Sequence, residues 1–67
     1  MELKVLRARN GFIKQLDFAA AVGVKQSTAA DWERGVAKPD IFKAKKIAQV
    51  LNVSIDEVVS CFEQLQN

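Results

Sequence analysis

Histidine and tyrosine are absent from this 67-residue sequence, and cysteine, tryptophan and proline each occur once. The single cysteine, Cys61, excludes an internal disulfide. Without histidine, the chain lacks the side chain that most often acts as a general base. The sequence also contains no Gly-rich phosphate loop and no spacing typical of a metal cluster. We therefore expect no enzymatic activity, no cofactor and no metal site.

Long apolar segments are missing as well. The longest uninterrupted one runs from Phe18 to Val22, far below the roughly 20 residues that span a membrane. The N-terminal sequence MELKVLRAR lacks the apolar core of a signal peptide. We expect a cytoplasmic protein without membrane contact. The length predicts one small domain, residues 1–67, whose thin core would benefit from a dimer partner.

Basic residues are missing from the last third of the chain. Residues 1–46 contain all ten lysines and arginines and five acidic residues, whereas residues 47–67 contain three acidic residues and no base. A basic body with an acidic tail suggests one face for a polyanion and another face for a different partner. Uneven charge also arises by chance in small domains, so this pattern alone does not decide the function.

The alternation typical of strands is also absent, and five short segments show helical periodicity, so we predict an all-α fold. The first three helices are expected at about 2–9, 15–22 and from 25 or 26 to 34. A fourth follows Asp40 as N-cap and ends at Asn52, and a fifth follows a Ser54–Glu57 capping box. The inward residues are predicted to be Leu3, Leu6, Phe18, Ala19, Val22, Ala29, Trp32, Ile41, Ala44, Ile47, Ala48, Leu51, Ile55, Val58, Val59 and Phe62, with Leu65 as a further candidate.

Only three residues, 23–25, separate the second helix from the third. Ala19 is small where the two helices would cross, and Gly23 can supply the positive φ of a sharp turn. Ala29 and Trp32 would hold the third helix from beneath. This spacing is typical of a helix-turn-helix, here about residues 15–34, whose second helix can enter a DNA major groove.

These landmarks resemble those of the lambda-repressor-like helix-turn-helix family, which includes phage Cro and repressor proteins. The resemblance implies a compact five-helix fold and binding to double-stranded DNA as a regulator of transcription. The sequence departs from the commonest form by one additional residue before Gln15 and by the small Ala29 and Ala30. The matching segments are Leu6–Arg7, Gln15–Val24, Ser27–Thr28, Trp32–Gly35, Lys38–Pro39, Lys46–Ala48 and Leu51–Glu57.

The resemblance also implies roles for individual residues. The start of the third helix would meet base edges, and Gln26 suits a bidentate contact to adenine. Arg7 and Glu33 match a buried or half-buried ion pair. Lys43 is a further phosphate candidate, although Lys43, Lys45 and Lys46 also fit a solvated face. The expected base contacts are Lys25, Gln26, Ser27 and Asp31, and the expected phosphate contacts are Gln15, Arg34, Lys38 and Lys43.

Asp31 adds a negative charge to a helix expected to face DNA. Its carboxylate could accept a hydrogen bond from cytosine N4, or pair with Arg34 three residues later. Alternatively, the helix faces a protein or has weakened DNA affinity. The ion pair is favoured, because it requires nothing beyond helix geometry.

One such domain covers about one half-site, so tight binding implies a homodimer. The candidate dimer contacts are Phe42, Val59, Phe62 and Leu65, although Phe42 equally suits the edge of the core, and Phe62 suits its interior. We expect a small phage or prophage repressor of the Cro type on a near-palindromic operator. The alternatives are an antirepressor-like module that captures a partner repressor, an antitoxin, or a restriction-system controller.

Overall fold

The computed structural model describes residues 1–63 and contains no strand within this range. Its elements are five helices, which confirms the all-α prediction. None of these helices is long and apolar enough to cross a lipid bilayer. The helices are α1 (Leu3–Arg9), α2 (Gln15–Val22), α3 (Gln26–Arg34), α4 (Ile41–Leu51) and α5 (Ile55–Glu63).

Residues with left-handed backbone end three of the helices. Gly23 after α2 has φ 89° and Gly35 after α3 has φ 77°, a region where any Cβ is strained. Asn52 ends α4 with φ 56°, as the sequence predicts. At the end of α1 the positive φ lies at Gly11, whereas Asn10 donates from Nδ2 to the Leu6 carbonyl over 2.7 Å.

Two predicted N-caps are present. The Asp40 carboxylate accepts a 2.8 Å hydrogen bond from the Lys43 backbone N–H at the start of α4. Ser54 Oγ accepts a 3.1 Å bond from the Glu57 backbone N–H at the start of α5. The capping box predicted there also requires a bond from the Ser54 N–H to the Glu57 side chain, which is not formed within residues 1–63. Each observed cap satisfies a backbone donor that would otherwise lack a partner.

The core is centred on four fully buried side chains, those of Phe18, Ile47, Leu51 and Val58. Helix α2 packs against α3 and α4, α4 packs against α5, and α1 packs against α3 and α5. Phe12 in the α1–α2 turn contacts Phe18 edge-on, with ring centroids 6.2 Å apart. This packing holds the buried face of α3 and leaves its opposite face exposed.

Two residues predicted to point inward are at the surface instead. Ile41 is 56% exposed and Val59 is 40% exposed. Both lie at the rim of a shallow apolar groove between α4 and α5. In α5, Val58 takes the fully buried position, and the next residue is rotated by about 100° around the helix. Ile41 is the first residue of α4, where the apolar stripe extends beyond the core.

Candidate nucleic-acid interface

Helix α3 buries Ala29 and Trp32 against the core and exposes a polar surface on the other side. The predicted base contacts Lys25, Gln26 and Ser27 are all exposed at its N-terminal end. Lys25 is the N-cap residue and has extended backbone, without a side-chain capping bond. The polar side chains of this end are therefore accessible to a nucleic acid groove.

A buried ion pair joins α1 to the last turn of α3. Arg7 Nε lies 2.7 Å from Glu33 Oε2, and Arg7 Nη2 donates to Glu33 Oε1 over 3.2 Å. The two side chains are only 5% and 6% exposed. Arg7 Nη1 also donates to the carbonyls of Phe12 (2.9 Å) and Ile13 (2.6 Å). One guanidinium thus fixes α1, the α1–α2 turn and the end of α3 relative to one another.

Gln15 connects this ion pair to the exposed end of α3. Its Nε2 donates to Glu33 Oε1 over 3.2 Å, and its Oε1 accepts a 3.3 Å bond from Gln26 Nε2. The sequence did not predict these bonds. Gln15, Gln26 and Glu33 all lie near helix ends of one helix-turn-helix, and this placement is the only hint of the bonds in the sequence. It does not determine the rotamers that form them.

The ion pair that the sequence favours for Asp31 is present. Arg34 Nη2 donates to Asp31 Oδ1 along the exposed surface of α3. The Arg34 side chain is 64% exposed and that of Asp31 is 38% exposed. The carboxylate therefore remains at the surface, one turn beyond Ser27.

Two further lysines beyond α3 are exposed. Lys38 is exposed in the connection to α4, and Lys43 is exposed in the first turn of α4. The Asp40 carboxylate accepts from the Lys43 backbone N–H, so this donor is not available to a phosphate at this end of α4.

The four candidate dimer contacts differ in exposure. Phe42 is 75% exposed, so its interpretation as part of the core edge is wrong. Val59 lies at the rim of the apolar groove, which has a volume of about 240 Å³. Phe62 is buried and forms part of the groove floor, so it offers little surface to a partner. Leu65 lies outside the described residues.

Cys61 is buried, and its thiol donates to the Glu57 carbonyl over 3.4 Å. Burial raises the pKa of this thiol, which disfavours the reactive thiolate. Within residues 1–63, no three His, Cys, Asp or Glu side chains are arranged to hold a metal ion.

A family model described as helix-turn-helix matches residues 3–58, from the start of α1 into α5. No curated protein and no solved structure shows a significant match. The matching family consists of DNA-binding regulators and is not an enzyme family. The match includes α2, the Gly23 turn and the exposed polar end of α3. The chain therefore belongs to the lambda-repressor-like helix-turn-helix family and is a DNA-binding regulator of transcription.

Proposed function

We propose that this chain is a repressor of the Cro type, from a phage or prophage, which binds a near-palindromic operator as a homodimer. The observation that carries the proposal is the support given to Gln26 by Gln15. One amide N–H of Gln26 bonds to Gln15, which leaves the second N–H and Oε1 free. An acceptor and a donor in one amide are what adenine N6 and N7 require.

The bond to Gln15 orients the Gln26 side chain before DNA binds, which favours a role in base recognition. Gln15 is itself bonded to Glu33, which the buried Arg7 holds in place. The Gln26 side chain has therefore lost part of its rotamer entropy before it meets DNA. This lowers the entropic cost of forming a base contact. Lys25 and Ser27 flank it as further base contacts.

The phosphate contacts are assigned to residues at the start of α2, in the α3–α4 connection and in the first turn of α4. Gln15 begins α2, where free backbone N–H groups also attract anions. Lys38 and Lys43 are exposed on the α3–α4 connection and on α4, and their charges would position the protein without reading sequence.

The size of the domain supports a homodimer. The Cα atoms extend over 29 × 23 × 21 Å, so one copy covers one half-site. Two copies would place their α3 helices about 34 Å apart. We assign the dimer interface, called the seam below, to the exposed Phe42 together with Val59 at the groove rim. An isologous contact would bring Phe42 of each copy against the apolar rim of the other.

The test is selection of binding sites from randomised duplex DNA, followed by affinity measurements between about 50 and 200 mM salt. We expect a palindrome and a steep decrease of affinity with salt. The variant Gln26→Ala should relax the preference at one position in each half-site. The variant Lys38→Ala should weaken all sequences evenly and reduce the salt slope. Identical behaviour of the two variants would contradict the division into base and phosphate contacts.

A second candidate function is that of an antirepressor-like module that captures a partner repressor. It is favoured by the exposed Phe42 and by the neutralisation of Arg34 by Asp31 on α3. Absence of any enriched sequence, with only weak salt-sensitive binding to DNA, would support this candidate and overturn the first.

A further inference from the structure

We propose that Arg34 reads a guanine in the operator and that Asp31 is the residue that positions it. The inference rests on the proposed operator binding. It replaces the phosphate contact that the family resemblance implies for Arg34. The observation behind it is the bond from Arg34 Nη2 to Asp31 Oδ1 on the exposed face of α3.

The direction of the side chain is the first argument. Side chains of a helix lean towards its N-terminus. The bond to Asp31 draws the Arg34 guanidinium back by one turn, to the level of Asp31. This turn is adjacent to the one that carries Ser27. The arginine head is therefore displaced towards the end of α3 that presents Gln26.

The charge of the pair is the second argument. Asp31 and Arg34 together carry no net charge, so the pair gains little from a phosphate, and its carboxylate would be repelled by one. Base edges are uncharged and offer hydrogen-bond acceptors. Guanine presents O6 and N7 in the major groove, the commonest specific target of arginine. An ion pair that is neutral overall and still presents arginine N–H groups therefore suits a guanine edge better than a phosphate.

The remaining donors are the third argument. A guanidinium has five N–H groups, and Asp31 uses one of them. The others include the Nη1 hydrogens and a second Nη2 hydrogen, the parallel pair needed for a bidentate contact to guanine. Because the Arg34 side chain is 64% exposed, these groups are accessible, and Asp31 restricts their orientation before binding.

The test uses the selected operator and a copy in which one guanine per half-site is replaced by 7-deazaguanine, which lacks N7 but keeps its base pair and phosphates. We expect this replacement to weaken the wild-type protein about fivefold or more. Arg34→Lys keeps the charge but not the planar fork of donors, so it should lose part of the preference for that guanine with an unchanged salt slope. Arg34→Met, which offers no donor to the base, should lose about 5- to 100-fold in that preference and bind both DNAs equally.

The role of Asp31 is tested by how its substitution changes the preference for guanine at the Arg34 position. Asp31→Ala should raise affinity for unrelated DNA, because a negative charge is removed, yet reduce the preference at the Arg34 position. Asp31→Asn keeps an acceptor oxygen and should retain more of that preference. Lys45→Ala is the control that should leave this preference unchanged, because Lys45 is exposed on α4 and is not a proposed DNA contact.

Three outcomes would overturn the inference: no guanine sensitive to deaza replacement, Arg34→Met as sensitive to that replacement as the wild type, or Asp31→Ala strengthening every sequence equally. Each of these leaves operator selection by the wild type intact. Failure of the proposed function instead appears as no selected sequence at all. Circular dichroism melting of each variant separates loss of preference from loss of fold.

Discussion

Gln15 and Gln26, eleven residues apart, are joined by a 3.3 Å hydrogen bond from Gln26 Nε2 to Gln15 Oε1. This bond links the first turns of α2 and α3. It also makes the side chain proposed to read adenine part of a network that ends at the buried Arg7. The proposed base recognition would thereby be coupled to the packing of α1 against α3.

We predict that Gln15→Ala weakens operator binding at least about fivefold, because it removes the proposed phosphate contact and one hydrogen bond is worth about 1 kcal/mol. It should also reduce the adenine preference, since Gln26 then moves more freely. A double-mutant cycle with Gln26→Ala should show clear non-additivity. The same cycle between Lys38→Ala and Gln26→Ala is the control. Additive effects in both cycles would contradict the coupling.

We predict that Arg7→Met destabilises the fold by about 3–5 kcal/mol, because it leaves Glu33 buried without its partner. Chemical denaturation monitored by circular dichroism measures this loss. The double variant Arg7→Met with Glu33→Leu should recover part of it, since the isolated buried charge is removed. As a control, Asp31→Ala breaks an exposed pair and should cost about 1 kcal/mol or less. If Arg7→Met and Asp31→Ala lowered the free energy of unfolding by the same amount, burial of the Arg7–Glu33 pair would not explain its effect on stability.

We predict that Phe42→Ser lowers affinity for the complete palindrome at least tenfold but leaves binding to an isolated half-site unchanged, because only the seam is altered. Sedimentation with operator DNA checks whether one or two copies bind. Ile13→Ser is a matched control, since Ile13 is 76% exposed and Phe42 is 75% exposed. If both variants bind the palindrome as two copies with wild-type affinity, the seam lies elsewhere.

We predict that Gly23→Ala costs about 1–2 kcal/mol of stability through backbone strain. Gly23 has φ 89°, and a Cβ added there would meet nothing within 4 Å, so a clash does not contribute. Gly23→Asn should cost less, because asparagine enters the left-handed region more readily. Denaturation midpoints compare the two variants. A stabilised Gly23→Ala variant would exclude the left-handed turn.

Much of the fold was predictable because local signals and tertiary packing agree. Helix α2 has the predicted bounds, since Gly23 ends it and the stripe of Phe18, Ala19 and Val22 is buried. The end of α3 at Gly35 follows in the same way. The exposure of Ile41 and Val59 was not predictable, because periodicity identifies an apolar stripe but not how much of it the neighbouring helices cover.

The site was predictable only residue by residue. The family pattern indicates Gln15, Gln26, Arg7 and Glu33 as functional or structural residues. It does not show that Gln15 bonds to both Glu33 and Gln26. Such bonds depend on the rotamers of side chains from different helices. The two carbonyls held by Arg7 also depend on the path of the α1–α2 turn, whose length departs from the commonest form.

If the exposed Phe42 forms the proposed dimer interface, it also sets how the proposed repressor responds to its own concentration. A seam that relies on one aromatic side chain and a groove rim buries little area in each copy, so free protomers should associate weakly. Operator occupancy would then rise with about the second power of protein concentration. A modest change in the rate of synthesis would move the operator between empty and filled, which gives the promoter a threshold without any small-molecule signal.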